Sequence, residues 1–417
     1  MDADVAAYVL PGSAVDHEAR ERGCTAYLAD RVERMLPEEL TVKTCSLQPG
    51  EDHRAHTVDL LLDEATGRVL SAETFRSTIR SSARLAYEPV QEFLDGKRDG
   101  GAFPPGIAAV LRRLAELAAV LRKARFAAGA LDFALPEVHC LLGADGEPEG
   151  FEKRGAGEAY HLVEECMLLA NKAVAEKLFA AKVPFLSRIH DAPDEEQWEA
   201  MGAQLAAMGL PAVQTPRQIN RLMASLRGDP REYMAQLAVL RNLNRAVYSE
   251  ASRPHFGLAF KRYAHFTSPI RRYPDTMVHR LLTIYLGGGA SQDKGYYEGE
   301  CKHASERELV AADAERTSIK YKLVEYMQDK TGQEFDGRVS GVTEWGMYVE
   351  IEPSKIEGMV ALRSIRSDFF EFDEERYRIV GRRTRKVFRL GDPVRIRVKE
   401  ANLEQRLLDY ELVESAR

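Results

Sequence analysis

The stretch YAHFTSPIRRYPD, from Tyr263 to Asp275, is the most informative part of this 417-residue chain. Its Thr267-Ser268-Pro269 segment predicts a turn, since proline fixes φ and ends a preceding element. Arg271 and Arg272 follow, and a helix is expected to begin near Asp275. Hydroxyl groups, a helix N-terminus and two guanidinium groups close together favour phosphate binding. An ordinary capped helix with surface arginines would have the same sequence.

Helical periodicity dominates the region around this stretch, and two short strands, Thr57 to Leu62 and Val69 to Phe75, are predicted upstream of it. The predicted helices cover Ile107 to Ala128 and, approximately, residues 159–181, 194–208, 229–247, a segment from 275 onward, and 296–328.

The pattern changes after residue 331, where short apolar stretches with strand periodicity replace the helices. Five strands are predicted at Phe335 to Val342, Gly346 to Ile351, Met359 to Ala361, Val394 to Glu400 and Leu407 to Leu412. Five short strands of this kind predict a small closed barrel of the oligonucleotide-binding type. We therefore expect an α+β chain with a helix-wrapped mixed sheet in residues 1–330 and a five-stranded barrel in residues 331–417.

Composition is that of a soluble globular protein, with 45% hydrophobic and 29% charged residues. No apolar run is long enough for a membrane span, and the N-terminus does not resemble a secretion signal. The five cysteines are scattered, which argues against a zinc site or a disulfide framework and favours the cytoplasm.

A local basic run contrasts with the net charge of −7. Residues 376–389 contain seven lysines and arginines and no acid. Local basic surface matters more for nucleic-acid binding than net charge does. The run is equally typical of a solvated strand pair or loop.

Several ordered blocks, together with the stretch from Tyr263 to Asp275, resemble the ribonuclease II/ribonuclease R family, whose catalytic part is the RNB domain. The resemblance covers essentially the whole chain. The blocks are Tyr8-Val9-Leu10-Pro11-Gly12-Ser13, Arg22-Gly23, Met35-Leu36-Pro37-Glu38, Cys45-Ser46-Leu47, Arg84-Leu85-Ala86-Tyr87, Val163 to Met167 with Ala170-Asn171, and Arg188-Ile189-His190-Asp191.

The resemblance implies a 3′-to-5′ exoribonuclease that hydrolyses single-stranded RNA processively to nucleoside 5′-monophosphates with Mg²⁺. It also implies an RNB-type domain followed by an S1-like RNA-binding barrel. Arg271 matches the arginine held against the scissile phosphate, and Glu315 matches an acidic residue near the RNA end. We expect a monomer, with single-stranded RNA as the partner.

Other site residues follow from the same resemblance. Tyr27 and Phe133 match aromatic residues that stack on bases, which suits an enzyme that accepts any sequence. Tyr87 and Glu164 match positions at the terminal nucleotides, where a carboxylate can accept from a 2′-hydroxyl. The remaining candidates for RNA contact are Ser268, Arg272, Arg338, Trp345 and Tyr348. Taken alone, Tyr27, Tyr87 and Phe133 are more typical of core positions. Glu164 is consistent with a solvated helix surface, and Glu315 with an ordinary helix-surface ion pair. His190, His255 and His279 are expected to be structural.

The metal ligands are the main departure from the family pattern. The resemblance places a compact aspartate cluster just before the block that begins here at Met1, and neither this cluster nor the N-terminal cold-shock-like domains are present. Asp2 and Asp4 are weak substitutes. We therefore expect an incomplete enzyme or an inactive protein. The incomplete enzyme would be a fragment, a truncated gene product or one half of a split enzyme whose companion polypeptide supplies the missing part. The alternative is a catalytically inactive RNA-binding protein that keeps the RNA channel and the barrel.

Overall fold

The structure is a computed structural model that describes residues 1–133, 137–154, 157–229, 231–289, 293–352 and 354–413. Within these ranges the helices are α1 (Ala14–Arg22), α2 (Tyr87–Leu94), α3 (Ile107–Ala128), α4 (Glu158–Ala180), α5 (Glu195–Ala207), α6 (Pro216–Ser225), α7 (Glu232–Arg241), α8 (Tyr273–Leu286) and α9 (Lys294–Gln328). None of the described helices is long and apolar enough to span a membrane.

The strands before the barrel are short, except for one long hairpin. They are β1 (Asp2–Ala3), β2 (Ala26–Tyr27), β3 (Val32–Glu33), β4 (Asp52–Leu62), β5 (Val69–Arg80), β6 (Glu137–Leu142), β7 (Pro148–Arg154), β8 (Ser187–Ile189) and β9 (Val247–Ser249). Strands β1, β4 and β5 form an antiparallel sheet in that order, with Asp2 opposite His56. Isolated parallel bridges join Pro49 to Ser81 and His190 to His255.

Most helix predictions are close to the observed bounds, but the region around α7 differs. The predicted helix 229–247 is too long, because α7 ends at Arg241 and Val247 begins β9. At the end of α7, the side chain of Asn242 donates to the Ala238 carbonyl oxygen at 2.7 Å. Helix α6 was not predicted. It is only ten residues long and begins at Pro216 after the Thr215 cap, so its apolar pattern is brief.

Helix α8 lies at the centre of the part of the chain that precedes the barrel. Its residues from Tyr273 to His279 are all buried, polar ones included, so this helix contacts protein on every side. Apolar side chains of α1, α4 and the N-terminal segment pack around it in one core. Helix α9, which is 35 residues long, contacts α1, β2 and β9 and then reaches the barrel.

The C-terminal region confirms the predicted barrel. Strands β10 (Glu334–Val342), β11 (Gly346–Ile351), β12 (Glu357–Ala361), β16 (Pro393–Asn402) and β17 (Leu407–Leu412) close in the order β10-β11-β12-β17-β16. Its interior contains aliphatic residues from each strand, and Val324 and Met327 of α9 extend that core.

A small antiparallel sheet inserted between β12 and β16 was not predicted. It consists of β13 (Phe370–Asp373), β14 (Arg378–Gly381) and β15 (Val387–Arg389). The basic run 376–389 lies on this sheet and its turns. Arg378 pairs with Asp373, and Arg382 pairs with Glu371, so acids from the neighbouring strand neutralise part of the run.

Candidate functional site

The turn before α8 is anchored by one buried carboxylate. Asp275 is 0% exposed, and its Oδ1 accepts from the Ser268 backbone N–H and from Arg272 Nη2, both at 2.8 Å. Its Oδ2 and the Nε of Arg272 are buried without a hydrogen-bond partner among the described residues. Asp275 therefore fixes the turn at both ends.

The two arginines of the turn have different surroundings. Arg272 is largely buried in the pair with Asp275, and although burial opposes its charge, the carboxylate outweighs it and raises the pKa of Arg272. Arg271 is exposed, while its carbonyl oxygen accepts from the Thr25 N–H at 3.0 Å. The guanidinium of Arg272 is thus held in an ion pair, whereas Arg271 is exposed.

The hairpin of β2 and β3 lies beside this turn. The Tyr273 N–H donates to the Gly23 carbonyl oxygen at 2.9 Å, which joins the segment before β2 to the start of α8. The Tyr27 N–H donates to Glu315 Oε1 at 2.7 Å, so α9 holds the hairpin in place. The Tyr27 side chain stays 47% exposed. Glu315 and Arg271 are brought to the same place although they are distant in sequence.

Cys24 lies between these two charged groups. Burial, followed by the carboxylates of Glu308 and Glu315, raises the pKa of its thiol to about 11, while Arg271 lowers it. The thiol is therefore protonated at neutral pH and is not a nucleophile.

A mostly apolar cavity of about 550 Å³ opens next to the turn. Asp2, Tyr87, Val163, Cys166 and Thr267 are among its lining residues. Burial raises the pKa of the Asp2 carboxyl to about 6, and the negative charge of Asp275 acts in the same direction. The cavity thus extends from the Tyr87 side chain to the anchored turn.

Tyr87 is paired with an aromatic residue that the sequence reasoning missed. Its ring stacks on Tyr160, with centroids 3.9 Å apart and an interplanar angle of 13°. The Ala159 N–H donates to the Gln91 side-chain oxygen at 3.0 Å, which ties the start of α4 to α2. No sequence signal could have found Tyr160, because the stack depends on how α2 and α4 pack.

Glu164 and Phe133 lie in different surroundings. Arg125 is bound mainly by the buried Glu165, at 2.5 Å, and reaches the half-exposed Glu164 at 3.4 Å. Glu164 therefore keeps free oxygen positions on the surface of α4. Phe133 is half-buried against the core formed by α5, α6 and α7.

The three candidate RNA contacts of the barrel differ in exposure and in their neighbours. Trp345 is 70% exposed. Arg338 pairs with Glu352 at 3.1 Å. Tyr348 is half-buried and lines a cavity of about 300 Å³ between the barrel and α7, together with Met234 and Arg241. Of these residues, Trp345 has the largest surface available for base stacking.

Three carboxylates near the turn, those of Asp2, Asp4 and Asp275, are the candidates for holding Mg²⁺. Asp4 is buried, its Oδ2 pairs with Arg76 at 2.7 Å and its Oδ1 lies 3.3 Å from His56 Nε2; burial opposes its charge, but these neighbours lower its pKa to about 2. Asp275 is paired with Arg272, which leaves Asp2. Mg²⁺ prefers oxygen ligands in octahedral geometry. Two-metal hydrolysis needs more carboxylates than these, so the residues present do not fit the Mg²⁺ site that the family implies.

Comparison with known sequences gives two domain matches. The RNB domain family matches residues 3–288, and the S1 RNA binding domain matches residues 328–409. The chain is 38% identical to ribonuclease R of Aquifex aeolicus over 419 residues, covering 99% of this chain and 59% of that protein. It is 35% identical to ribonuclease R of Escherichia coli over 431 residues, covering 100% and 53%. The chain thus spans between half and three fifths of these relatives.

Solved structures give the same fold. The apo form of Mycoplasma genitalium RNase R superposes with a TM-score of 0.92 at 26% identity, covering 99% of this chain and 66% of that one. Yeast Ssd1, described as a pseudonuclease, superposes with a TM-score of 0.73 at 20% identity, covering 90% and 47%, and this likeness concerns the fold alone.

Proposed function

Because the chain belongs to the RNB-domain family, we propose that it forms the RNA-threading and phosphate-binding part of a 3′-to-5′ exoribonuclease. The substrate is single-stranded RNA, which is shortened processively from its 3′ end to nucleoside 5′-monophosphates. The curated relatives are considerably longer than this chain, so the proposal concerns the activity of the complete protein as well as the behaviour of these 417 residues.

The observation that supports the proposal most directly is that the two arginines of the turn differ in burial and pairing. Arg272 and Asp275 neutralise each other in the interior, which leaves Arg271 as the exposed cation of the turn. A guanidinium held by its backbone can stabilise negative charge that develops on a phosphate without moving during the reaction. Arg271 is therefore assigned to the scissile phosphate, and Ser268 and Arg272 support it.

Sequence-independent binding follows from the aromatic residues. Tyr27 and Tyr87 keep exposed ring surface near the turn, and Trp345 does so on the barrel. Stacking on such rings contributes about 1–3 kcal/mol per base and does not depend on base identity. Glu164, on the surface of α4, is assigned to the ribose 2′-hydroxyl, and this contact would favour RNA over DNA.

Mg²⁺, when bound in the complete enzyme, would activate the attacking water and stabilise the leaving oxygen. Asp2 and Asp4 are the weak ligand candidates in this chain, and one oxygen of Asp4 already pairs with Arg76. These two carboxylates alone do not form a two-metal site. The additional length of the relatives, or a companion polypeptide, would have to supply the remaining carboxylates.

The test incubates 5′-labelled single-stranded RNA with the complete protein and, separately, with the purified 417-residue chain, with Mg²⁺ or with EDTA, and resolves the products on a sequencing gel beside a binding assay. In the complete protein we expect Mg²⁺-dependent shortening of the labelled RNA from its 3′ end, and we expect Arg271→Ala to lower turnover far more than binding. The 417-residue chain alone is expected to bind the RNA without shortening it. Arg231→Ala is the matched control, since Arg231 is an arginine paired with Asp229 on a separate loop. Equal loss of turnover and binding in Arg271→Ala would contradict the assigned role.

A second candidate function, RNA binding without catalysis, is favoured by the engagement of Asp4. The same experiment separates the two. RNA that the complete protein binds but leaves intact with Mg²⁺ would support a non-catalytic RNA-binding protein. RNA that is neither bound nor shortened would contradict both functions.

A further inference from the structure

Three buried side chains meet beneath the sheet, and none of them is among the residues that line the apolar cavity. Asp4 follows β1, His56 lies in β4 and His279 lies in α8. They are 1%, 1% and 0% exposed. One potential ligand atom from each lies within 4.8 Å of the other two, and no other group of three or more such residues occurs in the described ranges.

His279 has a defined tautomer. Its Nε2 lies 2.8 Å from the Phe266 carbonyl oxygen, and because a carbonyl oxygen can only accept, Nε2 must carry the hydrogen. In the neutral ring, Nδ1 then has a free lone pair. Nδ1 is buried and has no hydrogen-bond partner among the described residues. A hydrogen bond from the other ring nitrogen is the usual way in which a metal-binding histidine is oriented.

Asp4 has one occupied and one available oxygen. Its Oδ2 accepts from Arg76 Nε at 2.8 Å and pairs with Arg76 Nη2 at 2.7 Å. Its Oδ1 is buried, makes no hydrogen bond to the described residues and lies 3.3 Å from His56 Nε2. Two unsatisfied buried acceptors in one place are costly unless something fills the space between them.

We propose that Asp4, His56 and His279 form a site for a divalent transition-metal ion of the Zn²⁺ or Co²⁺ type. Two imidazoles and one carboxylate are ligands that such ions prefer, whereas Mg²⁺ takes oxygen ligands. Zn²⁺ bonds to nitrogen and oxygen are about 2.0–2.2 Å long, so tetrahedral ligands lie roughly 3.5 Å apart. The observed 3.3 Å between Asp4 Oδ1 and His56 Nε2 is close to that spacing.

A fourth donor is present beside the cluster. The hydroxyl oxygen of Thr283 lies 3.4 Å from His56 Nε2 and donates its hydrogen to the His279 carbonyl oxygen, so its lone pairs are available. His56 would carry its own hydrogen on Nδ1. The four groups would then surround the ion from the N-terminal segment, β4 and α8.

The ion would act as a structural clamp. Helix α8 carries Asp275 and follows the turn with Arg271, while the N-terminal segment carries Asp2. By linking α8 to the N-terminal segment, the ion would fix the position of the candidate site, and the ion itself would not contact RNA. The inference does not depend on the proposed function, since it concerns only the binding of a metal to a buried cluster.

The experiment titrates the EDTA-treated, dialysed 417-residue chain with Co²⁺ and Zn²⁺. We expect about one equivalent of Co²⁺ with visible ligand-field absorption, its displacement by Zn²⁺ but not by excess Mg²⁺, and a higher melting temperature in the metal-bound form. His279→Gln is the informative variant, because Gln can still donate to the Phe266 carbonyl oxygen but lacks Nδ1. His56→Gln is the second variant. Each should weaken binding by more than about tenfold.

His255→Gln is the matched control, because His255 is half-buried in another histidine pair, with His190 at a ring distance of 5.1 Å. It should keep the metal affinity. Metal binding that survives both His56→Gln and His279→Gln would overturn the site. So would the absence of ligand-field bands in the unsubstituted chain, a result that does not depend on whether the variants fold.

Discussion

The rings of Tyr87 and Tyr160 lie nearly parallel, with centroids 3.9 Å apart. Tyr87 begins α2, and Tyr160 lies in the first turn of α4. One face of Tyr87 is therefore covered by protein, while the side chain remains partly exposed and lines the cavity beside the turn. The stack fixes the orientation of Tyr87, so Tyr160 is a positioning residue for any nucleotide that Tyr87 contacts.

Replacing Tyr160 should weaken RNA binding through Tyr87. Tyr160→Ala removes a stacking partner worth about 1 kcal/mol, so we expect several-fold weaker binding of short single-stranded RNA. Tyr160→Phe keeps the ring and should keep the affinity. Fluorescence anisotropy with short single-stranded oligonucleotides that have a free 3′ end measures the RNA affinity of both variants. Equal affinities for the Ala and Phe variants would show that the stack has no role in binding.

Asp275→Asn should destabilise the fold strongly. The substitution leaves the Arg272 guanidinium, 18% exposed, without its counter-charge, and breaking a buried pair in this way costs about 3–5 kcal/mol. Urea unfolding measures the loss. The control is Asp191→Asn, whose partner Arg253 is about half exposed, and it should cost less than about 1 kcal/mol. Similar losses in both variants would contradict the anchoring role of Asp275.

Stability should fall as the pH is lowered from about 6.5. Burial lowers the pKa of His255 and His279 to about 3 and that of His265 well below its usual value. Below pH 6.5 the unfolded chain binds protons that the folded chain does not. Each histidine therefore lowers the free energy of unfolding by up to about 1.4 kcal/mol for each pH unit. Asp2 has the opposite effect, because its pKa is raised to about 6 in the folded chain. Between about pH 6 and 4 the folded chain binds this proton more readily than the unfolded chain, so Asp2 increases the free energy of unfolding as the pH falls.

Urea unfolding in EDTA at several pH values between 7.5 and 5 tests this dependence. His255→Gln removes one of the three groups and should reduce the slope. A free energy of unfolding that stays constant over this range would mean that these histidines bind protons equally in the folded and the unfolded chain.

Trp345 and Tyr348 should respond differently to substitution. Trp345→Ala removes an exposed ring, so RNA binding should weaken by about 1–3 kcal/mol with little change in stability. Tyr348→Ala removes a ring that lines the cavity between the barrel and α7, and stability should fall more than binding. Filter binding and thermal unfolding on both variants check this. The reverse pattern would show that Tyr348 is the RNA contact.

Local pattern was enough to predict several parts of the molecule. Helix α3 has the predicted bounds because its apolar residues recur with helical periodicity over six turns, and the five barrel strands are bounded by clear turn signals. The inserted sheet β13–β15 was missed, because its strands are short and rich in arginine, and paired acids on the neighbouring strand make that composition tolerable.

The sequence by itself determined the α+β class, the barrel and the family, since these depend on periodicity and on ordered local blocks. Tertiary structure alone decided which arginine of the turn is free, because only packing places Arg272 against the buried Asp275. It also decided the stack of Tyr87 on Tyr160 and the meeting of Asp4, His56 and His279. Such contacts join residues far apart in the chain, and their energies depend on burial and distance, which a linear pattern does not contain.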